Sequence, residues 1–299
     1  MSLIYRYNRI SKISKAWKLK KIHPLITTYR IDKDFFELFK FNIKLYISKA
    51  LNIKFSHNDN IFIDYINSAR KNRINITPNG AVVPKREFHL EYNLVLRSWC
   101  QLVKKITSRN PKLLKLFRIT PNIRIKFDRE LEDNKQRGLS TSLPHSDAWV
   151  EGPWGMNCFI PFFGDTKNNN LIFYEPESYF SEDFLSTSST YVKMQWVMDH
   201  YKRIKKINPK AGHVHISDYA AIHHTERKKN CGTRVSIDTT LFVGNHEPHK
   251  DRKREYTSKI PEVGINQFVD AGQSQFNRPA TKISTYSHYT SKVLRLLKL

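Results

Sequence analysis

The spacing of apolar residues changes along the chain, and each change marks a change of element. Between Ile31 and Ser56 the residues Phe35, Phe36, Leu38, Phe39, Phe41, Ile43, Leu45, Tyr46 and Ile47 recur close to helical spacing, behind an acidic start. That pattern predicts a helix. A second helix is predicted from Phe88 to Thr107, on Leu90, Tyr92, Leu94, Val95, Trp99, Leu102 and Val103. Between the two, Asn75 to Lys85 is polar and contains Pro78-Asn79-Gly80, the signature of a turn. From Thr120 the period drops to two: Asn122-Ile123-Arg124-Ile125-Lys126-Phe127 alternates, as a strand with one buried face does. Further strands are predicted over Met156 to Phe162, Asn170 to Tyr174, Gly212 to Ser217, Ala220 to His224 and Thr233 to Val243, with a mixed or helical stretch over Glu182 to Ile207. Short strands behind a helical front end predict an α+β fold with a mainly β core, an antiparallel sandwich or jelly roll backed by N-terminal helices.

Three regions follow. Residues 1–114 form a basic arm and supporting helices, 115–243 the β core, and 244–299 a basic C-terminal extension packing on the same domain. The first 31 residues hold eight Lys or Arg and no acid, and lack the apolar centre of a secretory signal, so an irregular or short helical arm is expected. At the other end, Ser291 to Leu299 has the pattern of a small basic amphipathic helix, docked on the domain or touching an anionic lipid surface.

Charge and cysteine content narrow the function classes. Fifty-one Lys and Arg against 27 acids give a net +24. Such a field attracts nucleic acid, an anionic membrane surface or an anionic substrate, and a Lys-, Asn- and Ile-rich composition of AT-biased coding gives the same charge with no partner at all. Cys100, Cys158 and Cys231 are widely spaced and form no CxxC pair. A disulfide scaffold and a thiolate zinc site are thereby disfavoured, and a reducing, cytoplasmic compartment fits. No apolar run approaches the roughly 20 residues a membrane-spanning helix needs.

The densest cluster of reactive side chains is Pro144-His145-Ser146-Asp147-Ala148-Trp149. Residues two apart on a strand share a face, so His145 and Asp147 can offer a nitrogen and an oxygen to one ion. A second imidazole from a neighbouring strand would complete the two-histidine, one-carboxylate set used by non-haem iron(II) oxygenases. Ile222-His223-His224-Thr225 supplies two candidates, His223 and His224. The strand that follows places Arg234, Ser236 and Asp238 on one side and Val235 and Ile237 on the other. An inward arginine is costly unless an anion meets it, and its planar fork matches a carboxylate. Two other His-x-Asp triplets, His57-Asn58-Asp59 and His249-Lys250-Asp251, have no strand pattern behind them and are expected to lie in surface loops.

The order His145-x-Asp147, a distal histidine, then Arg234-x-Ser236 resembles the iron(II)/2-oxoglutarate dioxygenases. The likeness is to the phytanoyl-CoA-hydroxylase-like branch, and within it to oxygenases of bacterial sugar, antibiotic and surface-polysaccharide pathways. Also similar are Asn157-Cys158-Phe159-Ile160-Pro161-Phe162 and Asn170 to Ser178, so the resemblance spans about residues 115–243. It implies a double-stranded β-helix, the ligands His145, Asp147 and His223 for Fe(II), and Arg234 with Ser236 on the far carboxylate of 2-oxoglutarate. Dioxygen would be the third participant and hydroxylation of a small or carbohydrate-type substrate the outcome, with release of succinate and CO2. The family's spacing favours His223 over His224 as the distal ligand. Asn157 either faces the co-substrate or sits on a ladder edge. Trp149 and Trp154 are placed to wall the substrate space, and Arg124 to reach it from the first strand. The Pro-Gly-Ser-His element common in the family is replaced here by Glu175-Pro176-Glu177-Ser178.

Two other readings compete. Gly212-His213-Val214-His215 resembles a cupin His-x-His pair that, with His145, would bind another metal, but the glutamate that pattern needs is missing. The runs Lys202-Arg203-Ile204-Lys205-Lys206 and Arg252-Lys253-Arg254 suggest nucleic-acid binding, without any recognisable nucleic-acid module.

Overall fold

A computed structural model describes residues 3–71, 74–85, 88–131, 143–151, 155–180, 191–243 and 256–257. Helix α1 (Leu3–Ala16) opens the chain, followed by the hairpin of β1 (Lys20–His23) and β2 (Ile26–Arg30). The opening segment, expected as an irregular or short helical arm, is therefore a full helix plus two strands. Helix α2 (Lys33–Leu51) starts where the Asp32 carboxylate accepts the Phe35 N–H at 3.1 Å, and it stops at Asn52, which takes the left-handed conformation. Helix α3 (Asp59–Ala69), which periodicity did not reveal, is capped by the Asn58 side chain. That cap explains the Asn-rich stretch around the decoy His57, whose ring stacks on Phe41. Helix α4 (His89–Thr107) matches the second predicted helix almost to the residue.

The β core begins with β3 (Leu114–Arg118) and β4 (Asn122–Lys126), continues through the short helix α5 (Ala148–Glu151), and then runs through β5 (Gly155–Gly164) and β6 (Asn169–Pro176). It ends with β7 (Tyr201–Arg203), β8 (His213–Asp218), β9 (Ile222–Arg227), β10 (Arg234–Val243) and the two-residue β11 (Tyr256–Thr257). All pairings are antiparallel. The larger sheet runs β1-β2-β8-β5-β10-β3-β11, with β4 lying on the same flank of β10 as β3; the smaller runs β7-β6-β9. A pair of backbone bonds between His145 and His223 adds the 145 segment to the free edge of β9. Within 122–243 the chain thus alternates between the two sheets, except that β6 and β7 follow one another within the smaller one.

Alternation sorts the large sheet's side chains into two faces. Ile123, Ile125, Met156, Cys158, Ile160, Val214, Ile216, Val235 and Ile237 point to the helices and join the main core with α2 and α4. Phe162 is wedged there, stacked on Phe36 at 5.2 Å and edge-on to Phe39 at 5.0 Å. The opposite face meets the small sheet, where Ile26 and Phe159 pack on Leu171 and Phe173. The layers are therefore helices, large sheet, small sheet, and the polar residues of the inner face lie between the two sheets. No helix among the described residues is long and apolar enough to cross a membrane. Residues 244–255 and 258–299, including the second decoy His249-Lys250-Asp251 and the expected terminal helix, lie outside the described residues, as do Trp154 and the Arg252-Lys253-Arg254 run.

Candidate metal centre

The His145 N–H donates to the His223 carbonyl at 3.0 Å, and the His223 N–H donates to the His145 carbonyl at 2.9 Å. Directly opposed residues in such a pair project to the same face, and the two imidazole centroids lie 4.7 Å apart. Asp147, two residues beyond His145, joins them: its carboxylate oxygens stand 3.9 Å from His145 Nε2 and 3.7 Å from His223 Nε2. All three donor atoms lie within 4.8 Å of one another, and no other group of this kind occurs among the described residues.

Both rings are held in one tautomer. His145 Nδ1 lies 2.6 Å from the Leu143 carbonyl and His223 Nδ1 lies 3.0 Å from the Ala221 carbonyl. A carbonyl only accepts, so each Nδ1 carries the hydrogen and each Nε2 presents its lone pair to the space the triad encloses. Burial, followed by the neighbouring His223, pushes the His145 pKa well below the usual histidine value, which favours the neutral form a metal requires. Asn157 donates through Nδ2 to Asp147 Oδ2 at 2.7 Å and so orients the third donor. It faces the Asp147 carboxylate from a strand paired on both sides, not from a solvated ladder edge.

The pleat turns the two adjacent histidines to opposite faces. His223 is buried and turned between the sheets, opposite Phe173; His224 is turned to the outer face, stacked on Tyr174 at 5.6 Å. Tyr191, a residue the sequence pattern did not single out, stacks on His145 at 4.5 Å. Trp149 is fully buried below it, in an apolar cluster with Tyr191, Met194 and Val197. Gln195 Nε2 donates to the Pro144 carbonyl at 2.9 Å, so this segment braces the loop that carries His145.

A second cluster lies deeper on the same inner face. Arg234 is 1% exposed; one terminal nitrogen donates to the Asn169 carbonyl at 3.0 Å and the other to Thr225 Oγ1 at 3.4 Å, while Nε has no partner. No carboxylate among the described residues pairs with it. Burial first, then the charges of Arg227 and Arg124, push its pKa down to about 9, still cationic at neutral pH. Ser236 Oγ is fully buried and also unpartnered. Lys126 is the cross-strand partner of Arg234, buried on the same face, and its pKa is pushed down to about 7 by burial and by Arg124, Arg227 and Arg234. Two basic side chains are thus buried side by side, next to donors without a partner, an arrangement that is costly unless an anion meets it. Thr225 and Lys126 belong to it although sequence reading did not name them; the alternation of β4, which puts Lys126 on the face of Arg124, carried the signal for one.

Arg124 reaches the same space. Its Nε pairs with Asp238 Oδ2 at 2.6 Å, and its Nη1 is buried without a partner. Asp238 also accepts from Asn122 at 2.5 Å; burial alone would raise its pKa, but the Arg124 charge and these bonds hold it below the usual carboxylate range. His213 and His215, the cupin-like pair, form no metal group: His215 Nε2 accepts the Lys210 N–H at 3.2 Å, and burial lowers its pKa to about 4. In the first basic run, Arg203 is engaged by Glu226 through two bonds of 2.6 and 2.9 Å on the exposed face of the small sheet.

Comparison by sequence with family models and with curated proteins finds no match. Solved structures with a related backbone trace share little sequence with this chain. They include the non-heme alpha ketoglutarate dependent carbocyclase SnoK from nogalamycin biosynthesis (8% identity, TM-score 0.42, covering 78% of this chain and 83% of that one). AviO1 from Streptomyces viridochromogenes Tue57 shows 11% identity and TM-score 0.44 over 80% of this chain and 96% of its own. An N-substituted L-amino acid dioxygenase from Burkholderia ambifaria AMMD shows 10% identity and TM-score 0.39 over 78% and 87%.

Proposed function

We propose that the protein is a non-haem iron(II)- and 2-oxoglutarate-dependent oxygenase that hydroxylates a small-molecule substrate, of carbohydrate or anionic type. The observation that carries this reading is the buried, unneutralised Arg234–Lys126 pair set behind a triad of aligned donors. A dicarboxylate that meets the metal at one end and the two cations at the other accounts for both. The donor set suits the metal: two imidazoles and one carboxylate converge from one side and leave the other open.

His145, Asp147 and His223 would hold Fe(II). Arg234, Ser236, Thr225 and Lys126 would hold the far carboxylate of 2-oxoglutarate; Arg234 Nε and Ser236 Oγ are the two buried donors among them without a partner. Bound together with dioxygen, iron and 2-oxoglutarate supply oxidation of a substrate C–H bond, with succinate and CO2 released. The chain's own share is positional. Asn157 fixes the Asp147 carboxylate, the backbone carbonyls of Leu143 and Ala221 fix both imidazoles, and Tyr191 and Phe173 exclude water on two sides. Arg124, with one free N–H group, and Asp238 offer a charged wall that fits a hydroxyl-rich or anionic substrate.

The strand order supports a double-stranded β-helix: β4-β10-β5-β8 on one side, and the 145 segment followed by β9-β6-β7 on the other, with successive strands in opposite sheets everywhere but at β6 and β7. On that reading residues 115–243 are the catalytic core, 1–114 its support, and 244–299 an extension of the same domain. Three buried free cysteines fit a reducing compartment such as the cytoplasm.

Anaerobic titration with Fe(II) and 2-oxoglutarate tests the proposal. The weak visible charge-transfer band of the chelate should appear in the wild type and be lost in His145→Ala; a folded wild type without the band would overturn it. Arg234→Ala should weaken 2-oxoglutarate by roughly 30-fold or more, from the ~2 kcal/mol lower bound for truncating one side of a buried charged pair, while sparing the metal. Equal loss of both would make Arg234 a structural residue.

A further inference from the structure

The turn between β8 and β9 touches both halves of the metal centre. The Ala221 carbonyl takes the Nδ1 hydrogen of His223 at 3.0 Å, and the Tyr219 carbonyl takes the Ser146 hydroxyl at 3.2 Å. Ser146 stands between His145 and Asp147, and its oxygen also accepts the Ala148 N–H at 3.1 Å, which sets the bend of that loop. One four-residue turn therefore sets the angle of one imidazole and the path of the segment bearing the other two donors.

The turn is in turn held by Asp218. Its backbone carbonyl accepts the Ala221 N–H at 3.0 Å, its Oδ1 accepts the Ala220 N–H at 3.1 Å, and its N–H donates to Leu25 at 2.9 Å. Asp218 is fully buried, as is the Arg6 side chain that meets it at 2.7 Å; Arg9, nearly buried, meets the other oxygen at 2.5 Å. Both arginines come from α1, more than two hundred residues away in sequence. Two guanidiniums on one carboxylate exceed what closing a turn requires, since the backbone N–H of Ala220 already satisfies Oδ1. A buried, doubly clamped carboxylate has almost no freedom to rotate.

We propose that Arg6 and Arg9 are positioning residues of the metal centre: by clamping Asp218 they hold the 218–221 turn in the one arrangement that aims both imidazoles at a common point. The N-terminal helix would then be a working part of the active site although it supplies no ligand. This rests on the metal-centre reading above. It goes beyond it by assigning ligand geometry to a segment outside the β core.

Co(II) is the probe, because its visible absorption reports coordination geometry as well as occupancy. Titrations of the full chain should show Arg6→Lys and Asp218→Asn binding Co(II) on the order of 10- to 100-fold more weakly than wild type, the usual cost of disturbing groups that orient metal ligands. The absorption band should also change in shape. Lysine keeps the charge and loses the fork, and asparagine keeps the Ala220 acceptor and loses the charge. Ile13→Ala loosens the same helix through its apolar face alone, and is expected to lower Tm with no change in Co(II) affinity or band shape. Wild-type affinity in folded Arg6→Lys and Asp218→Asn would overturn the proposal, as would equal weakening in Ile13→Ala. Should Asp218→Asn fail to fold, Arg6→Lys and Arg9→Gln decide by the same criteria. A wild type that binds no Co(II) would instead bring down the metal-centre reading itself, which separates the two failures.

Discussion

Lys126 is a lysine whose surroundings bring its proton equilibrium into the neutral pH range. Burial and three neighbouring arginines lower its pKa to about 7, so at pH 8 it is mostly neutral. A carboxylate arriving between Lys126 and Arg234 reverses the electrostatic cost and restores the charge. Binding of 2-oxoglutarate at pH 8 should therefore take up roughly one proton, seen as a buffer-dependent calorimetric enthalpy. Lys126→Met should bind with the same enthalpy in every buffer. Equal enthalpies in the wild type would remove Lys126 from the pocket. Much of this site was legible beforehand because side chains alternate along a strand: the polar members of Arg234-Val235-Ser236-Ile237-Asp238 had to share a face. Alternation alone does not say which face is inner, so His223 and His224 stayed open until Phe173 and Tyr174 on β6 were seen to take one each. Tyr191 carried no signal, because its place over His145 is set by a short irregular segment with no period of its own.

At the scale of elements, β4 depends on a glycine. Residues 80–82 run along its free flank, with the Ile125 N–H donating to Gly80 at 2.7 Å and the Val82 N–H to Ile123 at 2.8 Å. Gly80 has φ +83°, and a Cβ there would stand 2.1 Å from the Ile125 carbonyl oxygen. Gly80→Ala should thus destabilise by more than about 1 kcal/mol, and also displace the strand that carries Arg124 and Lys126. Urea unfolding measures the first effect and 2-oxoglutarate affinity the second; a variant as stable as wild type would show that the flank yields freely. The Pro78-Asn79-Gly80 signal announced a turn, but it did not announce that the turn pairs with a strand forty residues on. The same holds for α1 and the β1–β2 hairpin. Their sequence is basic and only weakly periodic, and what orders them is Asp218 and the edge of β8, partners no local pattern encodes.

For the molecule as a whole, buried histidine makes stability depend on pH. His215 has a folded pKa of about 4 against an unfolded value near 6.5. Above pH 6.5 it is neutral in both states and contributes no slope. As pH falls from 6.5 toward 4 the unfolded chain binds a proton that the folded chain refuses, so stability declines. Between pH 7.5 and 4.5 the loss should reach about 2–3 kcal/mol from this residue, at 1.36 kcal/mol per unit. His215→Gln keeps an acceptor for the Lys210 N–H and does not titrate; its urea midpoint should fall less over that interval, and parallel profiles would show that His215 is not the source. The architecture also has a consequence for how the chain is made. Strand β2 pairs on its far side only with β8, and Arg6 finds Asp218 only at the end of that strand. At about 5–20 residues per second, the first hairpin must wait roughly ten seconds or more after emerging from the ribosome before its partner exists. An unpaired edge held open that long invites other chains. The opening segment holds eight Lys and Arg and no acid, and like charges on two such edges oppose their pairing.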